Sequence, residues 1–333
     1  MSLARLARLT AFLTVLVGAT HVGARVTTQY RVSEGTLFAQ AEQRLAAASV
    51  PETPVLLLIG DSGAASPELR ANLRAMAMEP ALLVLHAGDI GYRGAREYGR
   101  FLKAAEALPF PVFAVPGDHD RDGEAGGYQA WDDRFGGRDR VVEKDGLRLV
   151  LLDTAGDTVS EASFRFLEEA LRRPPPPAPG PRWTVVLTHC PPYRPHPPAP
   201  RPLGKGHVIE DPAAARRLLD LLRDARVTLL CAGHIHRFEV GNQYGVTLVV
   251  SGGGGKDVQP GADFHYVRIT LSDPPKIEPV VTTPGSGRQP LAKLGDRVIA
   301  ESLRSGDQTT IALAVVTAVL FAFERRRRAG QHG

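Results

Sequence analysis

Five short fragments place metal-ligand side chains at the ends of apolar runs: GDSG (60–63), GDIGY (88–92), GDHD (117–120), VLTH (186–189) and GHIH (233–236). Together they offer carboxylates, imidazoles and one phenol. Hard anionic oxygens beside neutral nitrogen donors suit a pair of metal ions and leave room for one of them to be ferric. A single Gly-Asp after a strand is ordinarily a turn with a capping aspartate, and a single histidine is ordinarily a hydrogen-bonded side chain. The Gly-His-x-His pair is more specific, because period 2 aims His234 and His236 to one face if the segment is extended. Five such fragments in series make a dinuclear metal site the stronger reading.

The elements that must position these residues follow from the apolar pattern. Segments 55–59, 82–86 and 112–115 are short and nearly continuous in apolar residues, as strands covered on both faces are. Helices fit 68–78 and 95–107 between them, so the first three fragments close successive right-handed βαβ units. Further strands are expected at 147–153, 185–188 and 227–231, with helices at 160–172 and 212–223. After His236, segments 238–240, 246–250, 266–271 and 277–281 read as antiparallel strands. Proline runs at 174–181 and 191–202 cannot enter a sheet interior and read as surface connectors, the second overhanging His189. The glycine run 251–255 lacks the phosphate-cradling GxxxxGK[ST] pattern and reads as a tight turn near the metals. Two sheets face to face with helices outside, a four-layer α/β/β/α sandwich, accommodate this order.

The constellation resembles the calcineurin-like metallophosphoesterases and, within them, the purple acid phosphatase branch. The resemblance covers 54–281, with every motif position between Gly60 and His236. The broader family opens with Asp-x-His, whereas Gly63 stands at that third position here. The purple branch also lacks that histidine and draws a tyrosine from GDxxY, the position of Tyr92. The resemblance implies one ion on Asp61, Asp89, Tyr92 and His236, and a second on Asp89, Asp118, His189 and His234, with Asp89 bridging. It further implies Fe(III) paired with a divalent ion (Fe, Zn or Mn), and metal-activated hydroxide attacking phosphorus. His119 is the implied acid for the leaving group, with Asp120 orienting it. The family often carries a histidine in the loop after His189, a role open to His196 or His207, which otherwise read as surface histidines.

One position departs from the family pattern. Asp118 stands where an asparagine ligand is usual, which adds negative charge beside the place an anionic phosphate must bind. Weaker phosphate binding and a less acidic bound water are the expected consequences. The implied activity is acid-phosphatase-like hydrolysis of phosphate monoesters. A phosphodiesterase or nucleotidase on the same scaffold, and a catalytically weak metal-binding surface protein, remain open.

The chain ends carry topological signals. Arg5 and Arg8 precede an apolar stretch at 9–17 and small residues at 22–24, the pattern of a signal peptide over 1–24, with an uncleaved anchor as the alternative. The catalytic domain is expected over 50–285, followed by a juxtamembrane spacer (286–308). Residues 309–323 are apolar and uncharged, and a basic tail with four arginines follows (324–333). Fifteen helical residues span about 22 Å, short of the ~30 Å hydrocarbon core, but flanking arginines can snorkel. Positive charge on the tail places it in the cytoplasm and the domain outside. The formal charge of +4 lies in these ends: without the two signal arginines and the tail's net three charges, 25–323 carries −1. A near-neutral domain has no electrostatic footprint for nucleic acid, so the expected partners are a phosphate ester and the membrane. The two cysteines, Cys190 and Cys231, lack CxxC spacing and read as buried thiols, with a disulfide open in an oxidising compartment.

Overall fold

The computed structural model describes residues 12, 15, 35–63, 66–91, 98–121, 127–174, 180, 182–195 and 207–285. The chain divides into two units, Tyr30–Gly287 and a second made of Met1–Gln29 with Arg288–Gly333. Of the second unit only Phe12 and Val15 are described, both helical and exposed. The rest of the signal segment, the spacer over 286–308, the apolar run at 309–323 and the tail lie outside the described residues. No helix among the described residues is long and apolar enough to cross a membrane.

The Tyr30–Gly287 unit is a mixed α/β fold built on two sheets. The first holds β1 (Val55–Ile59), β2 (Leu83–His86) and β3 (Val112–Ala114), all parallel, with β10 (Phe264–Thr270) and β11 (Lys276–Thr283) added antiparallel in the order β11-β10-β1-β2-β3. The second has the order β4-β5-β6-β7-β9-β8, from β4 (Arg140–Lys144), β5 (Leu147–Leu151), β6 (Trp183–Leu187), β7 (Leu229–Ala232), β8 (Phe238–Gln243) and β9 (Val246–Ser251). Here β5, β6, β7 and β9 run parallel and the two edges, β4 and β8, antiparallel. The expectation of purely antiparallel strands after His236 is corrected at β9. The β8–β9 hairpin crosses to the edge first, so β9 returns in the direction of β7 and pairs with it.

Alternating side chains divide the strands between two cores, as period 2 requires. Leu56, Leu58, Leu85 and Phe113 of the first sheet meet Leu149, Val185, Leu187 and Val249 of the second in the inter-sheet core. The opposite side chains, among them Leu57, Ile59 and Val84, pack under α2 (Pro67–Met76), α3 (Tyr98–Glu106) and α4 (Gln129–Phe135). Val150, Val186 and Leu230 pack under α5 (Glu161–Arg172) and α6 (Pro212–Asp224). Helix starts are set by local chemistry: Ser66, Ser160 and Asp211 accept from backbone amides in the first turn, and Pro67 and Pro212 open their helices.

Helix α1 (Leu37–Ala47) lies ahead of the expected boundary at residue 50 and belongs to this unit. Its Phe38, Ala41 and Leu45 enter the inter-sheet core, and the Phe38 ring meets Phe113 edge-on at 5.6 Å. The helix touches β3 and β4, which lie at one edge of each sheet, so it closes the core between them. Phe38→Ala is therefore expected to cost about 3–5 kcal/mol in urea unfolding, the usual loss for a buried aromatic. A near-neutral change would show that α1 is not part of the core.

Candidate metal centre

The C-terminal ends of five parallel strands converge on one place. Asp61 follows β1, Asp89 follows β2, Asp118 follows β3, His189 follows β6 and His234 follows β7. Backbone bonds tie these ends together: Asp61 N donates to Gly88 O at 3.0 Å, and Gly233 N donates to His189 O at 3.0 Å. The glycine before Asp118 has a steric reason, because a Cβ on Gly117 would fall on the Asp89 backbone and carboxylate. Residues 60, 88, 117 and 233 are thus the glycines at which strand ends close on their neighbours.

Six expected ligands come together in two groups, with Asp89 contributing to a third. Asp118, His189 and His234 form one, Asp61, Asp89 and His236 another, and Asp89 also lies with Asp118 and His119. In the first, Asp118 Oδ1 is 2.9 Å from His189 Nε2 and 3.3 Å from His234 Nδ1, and the two nitrogens are 3.1 Å apart. Donors held at ~2.1 Å around one ion have edges of roughly 3.0–3.4 Å, so this triangle has the spacing of a coordination shell. In the second, His236 Nε2 lies 3.3 Å from Asp61 Oδ1, a buried oxygen with no hydrogen bond. An orphaned carboxylate oxygen facing an imidazole fits an ion in the same way. Tyr92, the feature that selects the purple branch, lies outside the described residues.

The histidine tautomers are set from behind. His189 Nδ1 bonds Ala87 O at 2.7 Å, and a carbonyl can only accept, so Nδ1 keeps its proton and Nε2 faces the site. His234 turns Nδ1 to the site and has Asp157 Oδ1 at 3.8 Å from Nε2. Asp157 is a carboxylate that the motifs did not identify. Thr154 Oγ1 accepts from the amides of His189 and Cys190, which fixes the start of the following loop. That loop is anchored farther on by Arg194, whose guanidinium meets Glu239 at 3.0 Å and Gln259 at 2.9 Å. His207 rests its ring 5.5 Å from that of His234, and His196 lies outside the described residues.

One expectation is corrected by the geometry. Asp120 does not orient His119: its oxygens accept from the amides of Gly91, Ile90 and Gly117 at 2.8, 3.3 and 2.8 Å. It is buried and anchors the β2 and β3 loops, while His119 Nε2 lies 3.5 Å from Asp118 Oδ2. Burial and the charge of Asp89 push the Asp120 carboxyl up to about 7 despite those amides. The open possibility of a disulfide is not realised, since Cys190 and Cys231 are free buried thiols. Burial raises both, Cys231 to about 12.

A residue missing from the motifs completes the arrangement. Lys256 Nζ lies 2.9 Å from Asp89 Oδ2, with its side chain 8% exposed. The one signal for it was its place directly after the glycine run. The His119 side chain, 42% exposed, stands at the open face of the cluster, and its amide donates to Asp89 Oδ1 at 3.0 Å.

Comparison with known proteins matches the stretch of chain that holds the motifs. The family model described as calcineurin-like phosphoesterase matches residues 54–238. A search of curated protein sequences finds no match. Similar solved structures include GAP50, the anchor in the inner membrane complex of Plasmodium, at 14% identity over 74% of this chain and 95% of that one, with TM-score 0.49. A dimetal phosphatase from Danio rerio is 16% identical over 69% of this chain and 99% of that one, with TM-score 0.43. PhoD is 11% identical over 78% of this chain and 79% of that one, with TM-score 0.48.

The charges of the cluster's own side chains set its titration. Burial alone would push the His189 imidazole down, but Asp89, the hydrogen-bonded Asp118 and Asp61 outweigh it and raise it to about 10. Burial would raise Asp61, but the His236 imidazole 3.3 Å away and those of His189 and His234 lower it to about 2. The raised His189 adds stability that is complete below its ordinary 6.5 and is lost as pH climbs through about 10. Asp61 adds stability present above its ordinary 3.8 and lost as pH falls through about 2. Metal uptake near pH 7 must displace the His189 proton. Calorimetric titration in buffers of different ionisation enthalpy should therefore show proton release, reduced by about one proton in His189→Ala. Buffer-independent heats would contradict this charge state.

Proposed function

The chain belongs to the calcineurin-like phosphoesterase family, and on that premise we propose that it hydrolyses small phosphate monoesters in the manner of an acid phosphatase. The family works with paired metal ions, and the donor set here fits such a pair. The observation that carries the reading is the convergence of Asp61, Asp89, Asp118, His189, His234 and His236 at the strand ends of two sheets. Asp118, His189 and His234 would hold one ion. Asp61, Asp89 and His236 would hold the other. Bound ions supply Lewis acidity, which neutralises phosphoryl oxygens and makes a water more acidic.

The chain's own groups have separable tasks. His119 sits at the open face of the cluster, within ion-pair range of Asp118. There it can protonate the departing oxygen, which sets the need for an acid by leaving-group quality. Asp120 holds the loop that carries His119, through three amides. Ala87 O holds His189 in the tautomer that presents Nε2.

Chelation should abolish hydrolysis of an aryl phosphate, and a divalent ion should restore it. His119→Ala should lower turnover of an alkyl phosphate by ~10²–10⁴-fold, and of an activated aryl ester by less, with metal content unchanged. Equal losses on both esters would remove His119 from the role of acid. Faster turnover of an aryl phosphodiester than of the monoester would shift the substrate class.

The same reading places the domain outside the cytoplasm, held by the apolar segment at 309–323. The supporting feature is the run of four arginines that follows it. A C-terminal fusion to a reporter that works only in the cytoplasm should give signal. A silent reporter on a stably expressed fusion would overturn that topology.

A further inference from the structure

Lys256 is the cation that the metal motifs do not explain. Its ammonium bonds Asp89 Oδ2 at 2.9 Å, while Asp89 Oδ1 accepts from the His119 amide at 3.0 Å. Both oxygens of the carboxylate shared between the clusters are therefore engaged. An ion taking Asp89 Oδ2 has to displace the ammonium or share the oxygen with it.

The backbone that delivers Lys256 is held firmly. Lys256 N donates to Asp61 O and Gly254 N donates to Gly60 O, each at 2.9 Å. The buried Asn72 amide donates to Gly254 O at 3.0 Å, and Thr282 Oγ1 bonds Asn72 Oδ1 at 2.5 Å. A Cβ on Gly254 would collide with the Gly60 carbonyl oxygen, so the close approach needs glycine. The turn thus packs on the end of β1 and sends the Lys256 stem across to the end of β2. These bonds hold the start of the Lys256 stem in place.

The two clusters differ in what faces their carboxylates. Asp118 Oδ1 is met by His189 and His234, which are ligand donors themselves. The Asp61–Asp89–His236 cluster is met by a positive charge that cannot become a ligand while it stays an ammonium. An ion placed there gains three donors but meets a like charge in a poorly solvated setting, where repulsion is little screened. We propose that Lys256 is a built-in competitor for the ion position at Asp61, Asp89 and His236, so that this position holds its metal weakly. The Asp118–His189–His234 position holds its metal tightly. The active pair would then form only when free metal is high enough to displace Lys256 from Asp89. This rests on the metallohydrolase reading, since both clusters are taken to bind ions.

The test is equilibrium dialysis of the metal-free, full-length protein against graded Mn²⁺, with bound ions counted by elemental analysis. Wild type should show two classes of site separated by at least about tenfold, because removal of one like charge from a poorly solvated site is worth that much or more. Lys256→Met should tighten the weaker class by at least about tenfold, while Lys256→Arg, which keeps the charge, should leave the separation in place. His236→Ala should abolish the weaker class alone. Two equally tight ions in wild type would overturn the role of Lys256 and leave the phosphoesterase reading intact. So would an unchanged weaker class in a Lys256→Met protein that melts like wild type. Should Lys256→Met fail to fold, the wild-type separation and the His236→Ala result decide. No ion bound by either protein would overturn both readings.

Discussion

Three carboxylates held close together, two of them out of water, are the constraint that the rest of the structure answers. Asp61 and Asp89 are buried and Asp118 is part-exposed, and in such a setting their repulsion is costly unless each is met by donors or cations. The protein meets it in layers. Amides take one oxygen each on Asp61 and Asp89, from His234 and His119. Imidazoles meet Asp118 and the second oxygen of Asp61, and Lys256 meets the second oxygen of Asp89. A fourth carboxylate, Asp120, is kept apart by three amides of its own and is pushed towards neutrality by burial and by Asp89. The same donors that balance these charges are spaced to receive ions.

That balance depends on bringing two sheets together at one edge. Asp61, Asp89 and Asp118 belong to the first sheet, His189 and His234 to the second, and the inter-sheet core is what holds the two sets in reach. Apolar alternation on β1, β2, β6 and β7 feeds that core from both sides. A packing defect there would act on the metal site through the distance between sheets, without touching a ligand.

The strands that carry ligands were the most legible part of the sequence. Runs such as Val55–Ile59 are apolar throughout, because both faces are covered, and end abruptly in Gly-Asp or Gly-His. The α-helices and strands left unread carry no ligand. Helix α1 has its apolar positions at 37, 38, 41 and 45, a helical pattern, but lies between a signal-like segment and the first strand. The β4–β5 hairpin was marked by Asp145-Gly146, with φ of 43° and 87°, the two-residue turn that suits twisted strands. Its first strand is an edge with charged side chains at both ends, so the apolar signal was weak. At the site, residue types read correctly as a cluster, but the atoms that tune them did not. Ala87 O, Asp157 and Lys256 act through positions that only the fold brings near, and Asp120 looked like part of a catalytic motif while its carboxylate serves the backbone.

Backbone conformation ties the motifs to their task. Asp61, Asp89 and His234 have φ of 55°, 57° and 64°, the left-handed region, where a side chain costs roughly 1–2 kcal/mol. Three of the six clustered ligand donors sharing an unfavourable conformation is not what packing alone selects. Each is held by neighbours: Asp61 through its amide to Gly88 and its carbonyl from Lys256, Asp89 through its carbonyl from Gly63. His234 donates its own amide to Asp61 Oδ2 at 2.8 Å. The left-handed turn at each strand end re-aims the side chain from the sheet face into the shared space. Strain of this kind persists where surrounding contacts over-determine it, and it gathers at functional sites. The tie between Lys256 N and Asp61 O is one of those contacts. The turn that brings a competing ammonium to Asp89 thus also helps hold Asp61 in its ligand conformation, which makes Lys256 part of how the site is built as well as how it is charged.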